Sequence, residues 1–155
     1  MIMNKVVLDS CVFSKLFLQE VDRQAAVDLI TKLSQQNIKV IVPDLFLYEV
    51  MSIAGASKFP MQQAYTLINQ FQLANLDIIT IDNDVILKAI EIANQGHEKS
   101  GFPSFYDASY HALAIISECP FITADKRDVV KAKSFGYVTL LSDWKSLFKV
   151  NTNIH

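Results

Sequence analysis

The chain has 155 residues, about half of them apolar, with only four glycines and four prolines. This composition is that of a globular and not a disordered protein, and the length fits one domain whose core needs no disulfide bonds. The net charge of −2 excludes an overall positive field that would draw the protein to nucleic acid or membrane. A polyanionic partner must therefore be held by a local patch or through metal ions.

Cysteine usage and the absence of targeting signals indicate a compartment. Cys11 and Cys119 are too few for a disulfide framework, so reduced thiols in a cytosol are the simplest interpretation. The first residues lack the basic and apolar regions of a signal peptide. No stretch approaches the roughly 18 apolar residues of a membrane span. We expect a cytoplasmic protein without membrane contact, starting at Met1 or Met3.

Short apolar runs alternate with longer segments of helical periodicity along the chain. The predicted strands are 5–8, 38–42, 77–81, 121–123 and 138–141. The predicted helices are 10–18, 21–36, 43–56, 60–71, 85–94, 105–117, 128–135 and a final turn or two over 143–148, with a polar loop at 97–104. This alternation predicts an α/β fold around a mainly parallel sheet. We expect a single domain over 1–150 and a frayed tail over 151–155.

Four isolated acidic residues occupy positions that such a fold would gather together. Asp9 and Asp125 each follow a predicted strand, whereas Glu49 and Asp107 are lone charges in apolar helical segments. Ligands of open parallel sheets bind outside the carboxyl ends of the strands. Because acidic side chains are almost never fully buried unless paired or bound to a cation, a shared metal site explains all four.

Each acid also has a purely structural explanation. Asp9 and Asp125 are suitable helix N-caps, Asp107 would complement a helix dipole, and Glu49 could face the surface. As a group, however, four clustered carboxylates would raise each other's pKa unless a cation neutralised them. Oxygen ligands without a Cys or His pair indicate Mg²⁺ or Mn²⁺ and not zinc. The chemistry implied is metal-assisted hydrolysis of a phosphodiester.

Four stretches, in order, resemble a known family. They are Val-Val-Leu-Asp-Ser at 6–10, Pro-Asp-Leu-Phe-Leu-Tyr-Glu-Val at 43–50, Tyr-Asp-Ala-Ser-Tyr-His-Ala-Leu-Ala at 106–114, and Ile-Thr-Ala-Asp at 122–125. The set resembles the PIN domain, especially the small VapC-like toxin ribonucleases of bacterial toxin–antitoxin pairs. The resemblance implies a PIN-like three-layer α/β/α fold, Mg²⁺ or Mn²⁺, and endonucleolytic cleavage of RNA, transfer RNA included. It also implies a homodimer and a small antitoxin that blocks the site.

The resemblance assigns roles to individual residues. Asp9, Glu49, Asp107 and Asp125 become the catalytic, metal-binding acids, and Ser10 and Thr123 become supporting hydroxyls. Asp128 is an additional acid nearby, for which a solvated N-cap is the preferred interpretation. The helix pair at 61–96 and the loop at 95–104 depart from the most compact toxins and predict a differently shaped substrate groove. A catalytically inactive PIN-fold module that binds nucleic acid or regulates is the alternative function.

Several further residues leave interpretations open. His111 lies four residues after Asp107, and we prefer a structural or solvated histidine paired with Asp107 to a base or phosphate contact. Cys11 is expected to be a buried, inert thiol. Basic residues that could flank the crevice and hold phosphates are Lys15, Lys99, Lys126, Arg127, Lys131 and Lys133. Three aromatic residues are compatible with base stacking, core packing or a dimer interface: Phe102, Phe105 and Tyr106.

Other enzyme classes fit the sequence poorly. A phospho-accepting receiver domain would leave Glu49 without a role and needs a lysine after the last strand, where only Lys145 is available. A phosphatase with an Asp nucleophile needs a second Asp two residues after Asp9, where this chain has Cys11. A nucleotide-binding enzyme needs a glycine-rich phosphate loop, which four scattered glycines exclude.

Overall fold

The computed structural model describes residues 3–96, 99 and 101–149. Its centre is one five-stranded sheet in which every neighbouring pair is parallel, in the order β3-β2-β1-β4-β5. The strands are β1 (Lys5–Leu8), β2 (Lys39–Pro43), β3 (Leu76–Ile79), β4 (Phe121–Thr123) and β5 (Val138–Leu140). The predicted α/β fold with a parallel central sheet is confirmed.

Helices connect the strands and cover the sheet. They are α1 (Ser10–Ser14), α2 (Arg23–Gln35), α3 (Leu45–Ala56), α4 (Met61–Ala74), α5 (Asn83–Ala93), α6 (Phe105–Ile116) and α7 (Lys126–Ala132), with 3₁₀ turns at Lys133–Phe135 and Leu141–Phe148. Crossovers between parallel strands are right-handed. Because β1 leads to β2 and β3 in one direction and β4 to β5 lie in the other, α1–α4 cover one face and α5–α7 cover the opposite face.

The strands form where the sequence supplies continuous apolar, β-branched runs. Val6 and Val7 in β1 and Val42 in β2 are fully buried. A parallel sheet with helices on both faces requires this pattern, because neither face of a central strand meets water. The side chains of β1 and β2 therefore form the middle of the core, and the only polar residue of each is its first, Lys5 or Lys39.

Some predicted boundaries were wrong. Pro43 is the last residue of β2 and does not start a helix, and β3 covers Leu76–Ile79 instead of 77–81. Val21 is fully exposed because α2 begins only at Arg23. The predicted tail over 151–155 and part of the 97–104 loop lie outside the described residues. These shifts leave the order of the elements unchanged.

The strand order places a crevice between β1 and β4. The chain leaves these two adjacent strands toward opposite faces of the sheet, and such a switch point opens a crevice at the carboxyl ends of the strands. Asp9 directly follows β1, and Asp125 follows β4 by one intervening residue. Within the described ranges, no helix is long and apolar enough to cross a membrane.

Candidate metal centre

Asp9 is fixed at the carboxyl end of β1. Its backbone N–H donates to the Ile122 carbonyl of β4 at 3.0 Å, which continues the sheet ladder past the strand. It is also the N-cap of α1, since its side chain accepts from the Cys11 N–H at 3.4 Å. Asp9 is only 5% exposed. The N-cap interpretation is therefore correct for Asp9, but burial this deep exceeds what a cap requires.

Two buried hydroxyl groups hold the Asp9 carboxylate from opposite sides. Thr123 Oγ1, at the end of β4, donates to Asp9 Oδ2 at 2.8 Å. Ser10 Oγ lies 3.3 Å from Asp9 Oδ1 and 3.3 Å from Glu49 Oε1. One serine proton can serve only one of these oxygens at a time, so Ser10 links the two acids without neutralising them.

Asp9 shares its surroundings with two other aspartates. Asp107 lies in the first turn of α6, where its N–H donates to Ser104 Oγ at 3.1 Å. Asp128 lies in the first turn of α7 and is 5% exposed. One carboxylate oxygen from each of Asp9, Asp107 and Asp128 falls within 4.8 Å of the other two. Three segments distant in sequence thus converge on one point.

The negative charges of the three carboxylates repel one another. Burial raises the pKa of Asp9, and the charge of Asp107 raises it further, although the Thr123 hydrogen bond opposes the shift. Burial, followed by the charges of Asp107, Asp9 and Asp125, raises the pKa of Asp128 to about 8. No lysine or arginine of the described chain forms an ion pair with any of these three aspartates. Among the described residues, no ion pair therefore balances the negative charge of this group.

Glu49 borders the three aspartates. It lies in the second turn of α3 and is joined to Asp9 through Ser10. The Tyr110 hydroxyl donates to Glu49 Oε1 at 2.6 Å. Burial raises the pKa of Glu49, the Tyr110 bond lowers it, and the charge of Asp9 raises it again. Glu49 thus faces the crevice and not the surface, but it lies outside the three-carboxylate group.

Asp125 and Asp128 occupy different environments at the start of α7. Asp125 is the N-cap of α7, accepting from the Arg127 N–H at 2.9 Å, and its side chain is 40% exposed. Asp128 is buried, so its interpretation as a solvated N-cap was wrong. A sequence signal was available, because Asp128 and Ala132 are four residues apart and share the buried side of α7.

Lys15 is not a phosphate contact. Its Nζ is buried and forms ion pairs with Glu20 at 2.5 Å and Asp22 at 2.8 Å. Burial alone would lower the pKa of Lys15, but the hydrogen bonds to the two carboxylates outweigh it and raise that pKa. The Lys15 ammonium therefore has a structural role, and the expectation that it holds substrate was wrong.

The surroundings of His111, Cys11 and three aromatic residues distinguish between their possible roles. His111 is buried, with Nε2 2.7 Å from the Gly136 carbonyl, so it is structural and not solvated. Burial raises the pKa of the half-buried Cys11 thiol, which keeps it protonated and unreactive. The three aromatic residues do not pack in the core. Their exposed fractions are 66% for Phe102, 43% for Phe105 and 64% for Tyr106.

The donor set fits a hard divalent cation. Mg²⁺ and Mn²⁺ prefer carboxylate oxygens and keep positions for water and phosphate. A cation among Asp9, Asp107 and Asp128 would offset the repulsion that raises the pKa of Asp128. The hydroxyl of Thr123 supplies the outer hydrogen bond that orients such a ligand. The geometry therefore suits metal-assisted chemistry on an anionic substrate.

Comparison with known proteins places this architecture. Solved structures with the same fold include VapBC2 of Rickettsia felis bound to a fragment of promoter DNA (TM-score 0.64, 16% identity, 88% of this chain and 96% of that one). A toxin–antitoxin complex from Klebsiella pneumoniae gives a TM-score of 0.63 at 17% identity, covering 88% and 97% of the two chains. The Mycobacterium tuberculosis toxin VapC20, which cleaves the sarcin–ricin loop, gives 0.65 at 15% identity, covering 86% and 96%.

Identity below 25% supports the shared fold alone, and a comparison with curated protein sequences gave no significant match. The family assignment comes from the sequence itself. The model of the PIN domain matches residues 6–133, from β1 through α7 to the following 3₁₀ turn, and so includes every acid of the site. This chain therefore belongs to the PIN-domain family.

Proposed function

We propose that the protein is a metal-dependent endoribonuclease and the toxin of a toxin–antitoxin pair. The observation that carries this proposal is the convergence of Asp9, Asp107 and Asp128 within 4.8 Å, two of them almost fully buried and none paired with a cation of the described chain. A purely structural cluster of this kind would be costly, because isolated buried charges destabilise a fold. Membership of the PIN family and the toxin-like architecture support the nuclease reading.

Asp9, Asp107 and Asp128 would hold Mg²⁺ or Mn²⁺, and Glu49 and Asp125 would act from the rim of the site. When bound, the metal supplies an activated water and stabilises charge on the phosphate oxygens. Thr123 and Ser10 keep the Asp9 carboxylate in one orientation. Tyr110 does the same for Glu49, which is then placed to orient a water or accept its proton.

RNA is the proposed substrate, held by groups around the site. Phe105 and Tyr106 lie exposed in the first turn of α6, directly before Asp107, where they suit stacking of unpaired bases. Lys126 and Arg127 lie exposed at the start of α7 and suit phosphate contacts. Tyr106→Ala should raise KM about tenfold with little change in kcat, whereas Tyr106→Phe should preserve both, as measured by steady-state cleavage of an unpaired RNA.

The partners follow from the same proposal. The Rickettsia and Klebsiella structures are toxin–antitoxin complexes, and VapC20 cleaves the sarcin–ricin loop. By analogy we propose a small antitoxin that covers the acidic crevice, a homodimer, and a structured RNA, transfer RNA included, as target. We also propose that 1–150 form one domain and that the protein acts in the cytoplasm.

Cleavage of RNA by the purified protein tests the proposal. We expect cleavage of bulk or transfer RNA with Mg²⁺ or Mn²⁺, and loss of cleavage with EDTA or in Asp9→Asn. Mn²⁺ should also raise the unfolding temperature by mass action, and EDTA should reverse the shift. Absence of both cleavage and metal-induced stabilisation would reject the nuclease and leave an inactive binding or regulatory module on this fold.

A further inference from the structure

His111 lies deep in the core beside the acidic cluster, but no step of the proposed reaction uses it. The ring is 2% exposed and stacks on Phe121 with a centroid distance of 5.8 Å, while Phe135 packs edge-on against it at 6.2 Å. Aromatic neighbours of this kind fix the plane of the imidazole. Its two nitrogen atoms are therefore held in set directions.

The hydrogen-bonding roles of these nitrogens can be assigned. Nε2 lies 2.7 Å from the Gly136 carbonyl, which can only accept, so Nε2 carries the proton. The neutral ring then presents an unshared electron pair at Nδ1. Nδ1 is buried and has no hydrogen-bond partner among the described residues. Leaving a buried polar atom unsatisfied costs about 1–3 kcal/mol, so Nδ1 calls for a donor.

A small cavity beside His111 leads to the acidic cluster. Asp107 and Asp128 line this cavity together with His111, and the rest of its wall is apolar: Ile92, Pro103, Ala108, Phe121, Ala132 and Val138. About 10 Å³ is open to the centre of a water molecule, which is the space that one water needs. Asp107 lies one helical turn before His111 on α6, and both side chains line this cavity.

We propose that one water molecule in this cavity bridges His111 Nδ1 to the Asp107–Asp128 carboxylate pair, so that His111 positions the pair for metal binding. One O–H of the water donates to Nδ1 and the other donates to a carboxylate oxygen. The bridge satisfies the orphaned nitrogen and holds one carboxylate of the pair in place. The positioning role rests on the proposed function, whereas the water bridge itself does not.

Ring-nitrogen NMR of the metal-free wild-type protein tests the bridge directly. We expect His111 to appear as the Nε2–H tautomer, with the Nδ1 resonance displaced in the direction caused by an accepted hydrogen bond. An Nδ1 resonance at the position of a free acceptor would overturn the bridge. This measurement needs neither a variant nor an active enzyme.

A matched pair of variants tests the positioning role. The amide of His111→Asn reaches the place of Nδ1 and keeps an acceptor there, while the longer His111→Gln reaches the place of Nε2 and keeps only the donor to Gly136. We expect the Mn²⁺ affinity, measured by calorimetry, to fall at least about tenfold in His111→Gln and by less than about threefold in His111→Asn.

Equal losses in the two variants would overturn the positioning role and leave a packing role, and unchanged affinity in both would overturn it as well. A wild-type protein that binds no Mn²⁺ would reject the proposed function and the positioning role together. In that case the ring-nitrogen spectrum would still decide whether the water bridge exists.

Discussion

Two regions of this protein bury charge, and they do so in opposite ways. At the end of α1, the buried Lys15 ammonium meets two carboxylates, Glu20 at 2.5 Å and Asp22 at 2.8 Å. At the carboxyl ends of β1 and β4, three carboxylates converge within 4.8 Å without a cation from the described chain. The first group is complete within the fold, whereas the second has no basic ion-pair partner in the part of the chain that the structure describes. The contrast separates a structural ion group from a site.

The sharpest test of this contrast removes one charge from the unbalanced group. Asp128→Asn should lower the proposed Mn²⁺-dependent RNA cleavage at least about 100-fold, because a proposed metal ligand is lost while the side-chain volume is kept. Asp125→Asn is the matched control, since asparagine is an equally good N-cap and Asp125 is 40% exposed. Asp125→Asn should lower RNA cleavage less than about tenfold. A larger loss in Asp125→Asn than in Asp128→Asn would restore Asp125 as the principal ligand.

Breaking the balanced group should damage stability instead. Lys15→Met keeps the apolar stem but removes the ammonium, and the free energy of unfolding should fall by about 2–3 kcal/mol. The cost stays moderate because Glu20 and Asp22 are 44% and 47% exposed and regain water. Urea denaturation measures it, with Glu20→Gln as a milder control that leaves Asp22 in place. If Lys15→Met left the free energy of unfolding unchanged, the distinction between the two regions would be wrong. Weakened Mn²⁺ binding by this variant would contradict it as well.

The unbalanced group should also make metal-free stability depend on pH. The pKa of Asp128 rises from 3.8 to about 8 on folding, so the folded state holds a proton that the unfolded state has released. Stability therefore falls as pH rises through this window. Between pH 6.5 and 8 the loss should be about 2 kcal/mol. The lowered pKa of His111 gives the opposite slope only below about pH 6.5, where the unfolded histidine titrates.

Denaturant midpoints of the metal-free protein across this pH range measure the slope. The stability of Asp128→Asn should hardly change with pH. Saturating Mn²⁺ should also remove the pH dependence of the wild-type stability, because the cation replaces the proton. A wild-type stability that rises between pH 6.5 and 8 would show that the buried carboxylates are stabilised in their charged form by something within the protein.

The smallest expected effect concerns the acid at the rim of the site. Tyr110 is fully buried and donates to Glu49, so Tyr110→Phe removes one hydrogen bond and little volume. We expect a loss of about 1 kcal/mol in unfolding free energy and a fall in kcat of about tenfold or less. Steady-state cleavage and thermal unfolding check this. An unchanged kcat would indicate that the orientation of Glu49 does not matter for the reaction.

Sequence patterns predicted the fold well, because parallel strands must be apolar on both faces. The continuous apolar segments at β1 and β2 predict buried strands, and each is followed by a segment with helical periodicity. The errors came at boundaries, where tertiary contacts overrule local preference. Pro43 suits a helix start by its fixed φ, but it pairs with Ile79 at the end of β2.

The site was only partly predictable for a physical reason. Asp9 and Asp107 could be identified as isolated charges at positions that face the crevice. Distinguishing Asp125 from Asp128 required knowing which side of α7 packs inward, and that side is set by contacts with β4 and β5. The prediction for Lys15 was wrong because it also depended on the folded structure. The turn after α1 brings Glu20 and Asp22 to Lys15.

The strand order has a consequence for the newly made chain. β4 inserts next to β1 only after more than a hundred residues have been synthesised, and it brings Thr123 to Asp9, while α7 then adds Asp128. Domains generally fold as units during synthesis. A ribosome making the proposed toxin therefore carries a harmless chain until most of it has emerged. An antitoxin present at that moment can meet the acidic crevice as soon as it forms.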